Sequence, residues 1–550
     1  MAQSGKTHST GTGISVTGII IGIIGCIIIT ASSVYTALKM GALPWPTIFT
    51  SITSLVLLRA FGHRSLNEAN VTQIIMSAGS MVAGGLAFTI PGIWMLGLAD
   101  QVNWVEMLLV ALSGTLLGLV CTALIRRRLV EESDLEYPIG VAAAQTLEAS
   151  QAGGATGLKL FGSMAVAGVW SVARDVFGAI PAMLCNLSIP GVSFGIYNSP
   201  MMLSVGFLVG GAAVAFWFAG AVFANFGIIV GGTKLGLFDV ATAQGIVSSL
   251  GMGLMMGSGI GVVIRDIIPN LAKYLGGSGE KSARSSFRFL DAGVLALFTA
   301  GAALLIASGL GLSYAATAVI VVLSFVTTIM SAQSVGQTGI DPMEIFGLIV
   351  LLAVAALGEA NQVKLFFVAG IIAVACGLGG DVMSDFKTGQ LIGTNPREMW
   401  IGQAIGAFLG TAISVAVMVA LVGAYGTDAF GPGKLFVSAQ ASVVATMVSG
   451  IPSVPAFLAG LVGGIVLYCL KIPAMMLGLG VYLPFYLSLS ATIGALVKVL
   501  YDLVAGRKGD GTGELSHDDT GIIVASGLLG GESIVGVITA LITVATGLLG

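Results

Sequence analysis

From Ile14 to Leu38 the chain carries no charged side chain, and from Ala292 to Ile340 it carries none over nearly twice that length. A helix needs about 20 apolar residues to cross the hydrocarbon of a bilayer. The first run therefore makes one span, and the second makes two with a turn near Gly309 and Gly311. Composition closes off the soluble alternative: 9% of the residues are charged and 56% are hydrophobic, where a globular domain places roughly a quarter of its residues in charge. The expected fold is an all-α polytopic membrane protein with about 14–16 transmembrane helices.

The first apolar run is too long for the ~7–15-residue core of a signal peptide. It reads as a retained span behind a cytoplasmic N-terminal tail, residues 1–13, in a multi-pass protein of the cell membrane. Several function classes lose their footing. Lys and Arg number 23 against 26 Asp and Glu, a net charge of −3, so no basic face for nucleic acid is expected. The five cysteines are scattered without a C-x-x-C pair, which argues against a disulfide framework or a zinc site. The three histidines, His8, His63 and His517, all sit in polar sequence, so no protein metal site or histidine relay inside the membrane is expected. There is no G-x-x-x-x-G-K-[ST] loop for ATP and no H-E-x-x-H helix. The Gly-x-Gly-Asp spacing of an intramembrane aspartyl protease fails at Leu378. No filter-like repeat or charge ring marks a channel. The chain is expected to be no enzyme, to carry no cofactor and to use an ion gradient rather than an ATPase subunit.

Glycine, 80 of 550 residues, lies far above the usual ~7%. In membrane helices small residues let backbones touch, and they also permit breaks where backbone lines a cavity. Prolines such as Pro44, Pro91, Pro181, Pro452 and Pro484 punctuate the apolar segments, each a place for a kink or a boundary. The halves also match in order: "GIYNSPMMLSVGFLVGG" with "GVYLPFYLSLSATIGA", "GIVSSLGMGLMMGSGIG" with "IIVASGLLGGESIVG", and "VAAAQTLEAS" with "FVSAQASVVAT". A tandem duplication is expected, with chance similarity among Gly/Ala/Val helices as the competing reading: residues 14–288 form the first transmembrane half and 289–550 the second, containing broken or re-entrant helices. Secondary transporters are commonly built this way, with the site at the repeat interface.

Charges inside spans are costly and thus candidates for function. Arg174 and Asp175 sit in "GVWSVARDVFGAI" with apolar sequence on both sides. Neighbours on a helix point about 100° apart and do not face a common partner. At least one of the two is therefore expected to look toward a wet cavity or another helix. Glu148 shares a helical face with Gln145, either as a lining element or as a helix end in water. Glu532 follows a double glycine in the last apolar run. Lys39 ends the first span one turn after Tyr35, where a lysine ordinarily snorkels to the interface. Asn70 and Gln73 open one span on one face, and Asp341 and Glu344 open another. Gln440 and Tyr482 stand at the repeat matches of Gln145 and Tyr197.

The stretch "GLGGDVMSDFKTGQLIGTNPREMW", Gly377 to Trp400, crowds Asp381, Asp385, Lys387, Arg397 and Glu398 against an apolar run. Asp381 and Asp385 are four apart and share a helix face, where two anions repel and holding a proton relieves the repulsion. That chemistry suits a proton-coupled carrier; a solvated loop is the competing reading.

Taken as ordered blocks, "VYTALKMGALPWPTIF", "NEANVTQIIMSAGSMVAGGLAFTIPG", "LEYPIGVAAAQ", "DVMSDFKTGQLIGTNPRE", "GLGVYLPF" and "ASGLLGGESIVG" resemble the oligopeptide transporter family, which also contains the yellow-stripe metal-chelate carriers. The resemblance covers nearly the whole chain. Without the Asn-Pro-Gly element and long soluble loops of the fungal and plant branch, it looks like the compact prokaryotic type. It implies proton-driven uptake of small oligopeptides or peptide-like amino-acid derivatives by alternating access, and it places Asp381, Asp385 and Lys387 inside a family hallmark. A carrier of siderophore-like or nicotianamine-like metal chelates is the alternative. The implied partners are the peptide or chelate, protons and membrane lipid; a homo-oligomer is left open.

Overall fold

The computed structural model describes residues 13–40, 46–133, 156–262, 292–338, 341–449, 452–504 and 520–549, with 135, 137, 139–141, 143, 144, 147, 264 and 265. The expected boundary at 288, the first twelve residues of the expected tail, and Gln145 and Glu148 lie outside the described residues. Along the first half run α1 (Val16–Met40), α2 (Pro46–Ala60), α3 (Leu66–Ala87), α4 (Pro91–Met95), α5 (Trp104–Arg126) and α6 (Thr156–Ser171). After a hairpin come α7 (Pro200–Val209), α8 (Gly211–Val222) and α9 (Val240–Val262). The second half holds α10 (Ala292–Leu304), α11 (Tyr314–Thr338), α12 (Met343–Ala356), α13 (Gln362–Cys376), α14 (Val382–Ile392) and α15 (Pro396–Tyr425). It closes with α16 (Ala439–Ser449), α17 (Val454–Cys469), α18 (Ala474–Tyr482), α19 (Phe485–Val504) and α20 (Thr520–Leu549).

The all-α polytopic architecture is the one the apolar runs require. Among the described residues, 10 helices are long and apolar enough to cross a membrane, and shorter apolar helices of 10–17 residues accompany them, among them Pro200–Val209, Met343–Ala356 and Val454–Cys469. A count of 14–16 needs the short helices to cross as well. Breaks occur where glycine allows them. Gly210, at φ +89°, separates α7 from α8 in a conformation that a side chain resists. Widened π turns interrupt the helical runs at Val172–Val176 and Gly377–Asp381, a feature that often marks functional positions.

The order of packing matters for the site. α1 lies along α3, α3 against α15, α6 against α20, and α9 against α17 and α18. At the α9–α17 crossing the backbones touch. A Cβ on Gly253 would stand 2.2 Å from the Phe457 carbonyl oxygen, and one on Gly460 would stand 2.3 Å from that of Leu250. The tight-packing role read for the glycines holds here.

One element departs from helix. β1 (Met183–Ile189) and β2 (Val192–Tyr197) pair antiparallel, Met183 opposite Tyr197, with an irregularity between Leu184 and Leu187. Pro190 and Gly191 close the hairpin, with Gly191 at φ +78°. Pro followed by a left-handed Gly is what a type II turn takes. The hairpin ends at Tyr197 and delivers the chain into α7, which sets up the first polar cluster.

Candidate functional site

Helix α7 begins in the manner its sequence dictates. Ser199 is the N-cap, its hydroxyl accepting the Met202 N–H at 3.1 Å, and Pro200 occupies the first turn, where its missing N–H costs nothing. The remaining free N–H groups at such an end attract an anion. Here the anion is Glu532 of α20, fully buried: it accepts the Met201 N–H at 2.8 Å and the Ser199 hydroxyl at 2.8 Å. Arg174, on the π turn after α6, donates Nη2–H to the same carboxylate at 2.8 Å. It also grips Asp175 in a fork, Nε to Oδ1 at 2.7 Å and Nη2 to Oδ2 at 2.6 Å, and donates Nη1–H to the Asn198 carbonyl at 2.7 Å. Adjacent as they are, Arg174 and Asp175 do pair with each other. The arginine stem is long enough to fold its planar head back over the next residue, and the guanidinium has donors for several partners. As expected of at least one of the two, Arg174 also reaches a distant helix. Asp175 lies on the open side of the cluster, its side chain 36% exposed while that of Arg174 is 0% exposed.

Lys39 does not snorkel. It is 8% exposed, because α1 ends inside the protein rather than at its lipid face. Its Nζ–H donates to the Tyr35 hydroxyl at 3.1 Å and lies 5.3 Å and 5.2 Å from the ring centres of Tyr35 and Tyr197. The Tyr197 ring also receives the Arg174 guanidinium at 5.1 Å. Tyr197 thus joins the lysine to the arginine, and Tyr35, Lys39, Arg174, Asp175 and Glu532 form one cluster at the meeting of α1, α6, α7 and α20.

A second cluster surrounds the stretch that the sequence left between site and loop. Its first part, 377–389, is helical and mostly buried, running from α13 through the π turn into α14, while 390–398 turns back toward the surface. Asp385 is 0% exposed. From α3, Gln73 Nε2–H donates to Asp385 Oδ1 at 2.6 Å and Ser77 Oγ–H to Oδ2 at 2.5 Å, while Asn70 Nδ2–H donates to Gln73 Oε1 at 3.0 Å. Asn70 and Gln73 do share a face, and that face is aimed at Asp385. Asp381, at the end of the π turn, has Asp341, Asp385 and Glu344 as the charged groups acting on it. Ser331 of α11 donates to Asp341 Oδ2 at 2.7 Å. Glu344, in the first turn of α12, is buried. Among the described residues no Lys, Arg or His nitrogen lies within 4.0 Å of any of these four carboxyl groups. The same residues make no grouping suited to holding a metal ion.

The remaining candidates fall outside both clusters. Lys387 is half-buried on α14, its Cβ 3.0 Å from where a Cβ on Gly140 would stand. Gln440, in the first turn of α16, is buried with its Oε1 unpaired, and Tyr482 ends α18 facing Ser442. Asp239 is an exposed helix cap: hydrogen bonds from the Thr242 hydroxyl and backbone N–H hold its carboxyl below the usual range. Sequence reasoning passed over Tyr197, Ser199 and Ser77. For the first two a signal existed in "YNSP", a capping serine before a helix-starting proline.

The model of the family described as OPT oligopeptide transporter protein matches residues 14–264 and 283–543. The chain belongs to the oligopeptide transporter family. A Haemophilus influenzae protein provisionally named an oligopeptide transporter is 24% identical over 595 aligned residues, 93% of each chain. Metal-nicotianamine transporter YSL2 of Arabidopsis thaliana is 36% identical over 93 residues, 15% of this chain and 13% of its own. Its namesake in Oryza sativa subsp. japonica is 36% identical over 102 residues, 17% and 14% of the two chains. The protein is thus a multi-pass membrane protein of a transporter family that includes metal-nicotianamine carriers.

Proposed function

We propose that this protein is a proton-coupled secondary transporter that takes up small peptides or peptide-like zwitterions across the cell membrane by alternating access. The observation that carries the reading is the meeting of Asp341, Glu344, Asp381 and Asp385 beside the π turn: Glu344 and Asp385 are buried and Asp341 and Asp381 half-buried, Asp385 and Asp341 are held by amide and hydroxyl donors, and no cation among the described residues touches the four. Carboxyl groups so placed store protons more readily than they store charge. The cluster around Lys39, Arg174, Asp175 and Glu532 offers both signs of charge, as a zwitterion requires.

The tandem halves, 14–288 and 289–550, are taken as the moving parts. They meet where α6 packs on α20 and α17 on α9, the contacts that such a motion has to rearrange. A cytoplasmic N-terminus is part of this reading, supported by the charge pattern: with α2 counted as a crossing, Arg59, Arg64 and Arg126–Arg128 fall on its side. A second reading, carriage of metal chelates, is favoured by the local matches to metal-nicotianamine transporters.

The test is uptake into proteoliposomes with an imposed proton gradient. Uptake of a tripeptide or of nickel–nicotianamine is expected to rise when the outside is acidic and to be lost in Asp381→Asn and Asp385→Asn. Uptake indifferent to the gradient in the parent protein removes the coupling.

A further inference from the structure

Resting on the transport reading above, we infer that Lys39 is the receptor for a carboxylate of the carried substrate, in a pocket walled by tyrosines. The charges of the first cluster balance in number, two cations against two anions, but not in contact. Glu532 spends both oxygens on Arg174, Ser199 and the N-terminus of α7. Asp175 is held by the fork of Arg174. Arg174 thereby spends four of its five N–H donors on protein acceptors, two of them carboxylates, whereas Lys39 touches no carboxylate among the described residues. An ammonium has three donors, and among the described residues Lys39 finds only phenol: the Tyr35 hydroxyl at 3.1 Å, with that of Tyr197 also turned to it. No described carboxylate oxygen lies within 4.0 Å of its Nζ. A buried cation without a contacting anion is expensive, and a ligand that brings a carboxylate relieves it.

The surroundings fit such a ligand. Tyr425 and Tyr486 also lie within electrostatic reach of Lys39, so four of the ten tyrosines in the chain gather around one ammonium. The Tyr197 and Tyr486 rings meet edge to face at 6.0 Å, and Tyr35 and Tyr425 both rest on Phe436 at 5.7 and 5.5 Å. Tyr197, Tyr425 and Tyr486 are half-buried, which leaves the cluster an open side. Tyr425 lies within electrostatic reach of both Lys39 and Asp175, so the exposed acid and the buried lysine border the same tyrosine. A substrate with its carboxylate on Lys39 and its ammonium toward Asp175 would use both.

Peptide C-termini and amino-acid-derived chelators both supply the required group. Binding is measured by thermal shift of the purified full chain with trialanine, trialanine amide and nickel–nicotianamine, in the parent protein, Lys39→Met and Lys39→Arg. The parent is expected to bind trialanine at least about tenfold more tightly than its amide. Lys39→Met is expected to erase that ratio and Lys39→Arg to keep part of it. A shift with nickel–nicotianamine alone identifies the chelate as the carboxylate source, and its loss in Lys39→Met supports the inference equally. A parent that binds acid and amide alike, or a Lys39→Met protein that still prefers the acid or still binds the chelate as the parent does, overturns the inference and leaves the transport reading standing. If the parent binds none of the three, both fall.

Discussion

Arg174 and Glu532 show how one residue's burial sets its energetic weight. Both side chains are essentially inaccessible, so removing either strands its partner in a dry site, a loss of about 3–5 kcal/mol. Asp175, bonded to the same guanidinium but half-open to solvent, carries far less, within about 1 kcal/mol. Thermal unfolding in detergent should therefore show a large fall for Glu532→Ala and little change for Asp175→Asn. Equal effects would mean that Glu532 is no more a structural tie than Asp175. The sequence made these residues visible because an ionised side chain in an apolar run has few reasons to be there. It left their partners hidden, since a cation's acceptor can come from any helix. Glu532 lies 358 positions from Arg174, and no periodicity links them.

At the scale of elements, glycine decides which helices approach most closely. Gly460 faces the backbone of α9, and an alanine there must push two helices apart, a cost of about 1–3 kcal/mol. Gly162, inside α6, has nothing within 4 Å of where its Cβ would sit; alanine there gains helix propensity, about 0.5–1 kcal/mol. Gly460→Ala is thus expected to melt below the parent and Gly162→Ala at or above it, read from the same detergent melts. Composition alone could not tell the two glycines apart. Helix as a class was legible from the length of the uncharged runs. The hairpin was not, because its strands are as apolar as the helices around them and only Pro190–Gly191 announces the turn. The Asp381–Asp385 stretch was ambiguous for a related reason: its polarity matches a loop, and what buries it is α3, whose own polar face must be known before the fit is apparent.

Across the whole molecule, the two polar clusters share a mechanical connection. Tyr35 and Lys39 ride on α1, which packs along α3, and α3 carries the Asn70, Gln73 and Ser77 face that holds Asp385. A substrate that draws on Lys39 and a proton that lands among the four carboxyl groups therefore bias the same pair of helices. If so, the two ligands are linked, and linkage is reciprocal: whatever factor protons add to substrate affinity, substrate adds to proton affinity. For an inward symporter the sign is fixed, because proton and substrate must favour the same loaded state. Substrate affinity should rise as pH falls from about 8 to 6, and adding substrate to weakly buffered protein should draw protons from solution. Asp385→Asn should flatten the first dependence and abolish the second, while Asp239→Asn, at an exposed cap that belongs to neither cluster, should leave both intact. Substrate binding that releases protons would reverse the assignment and make the carrier an exchanger, with the carboxyl groups discharged when the substrate site is filled.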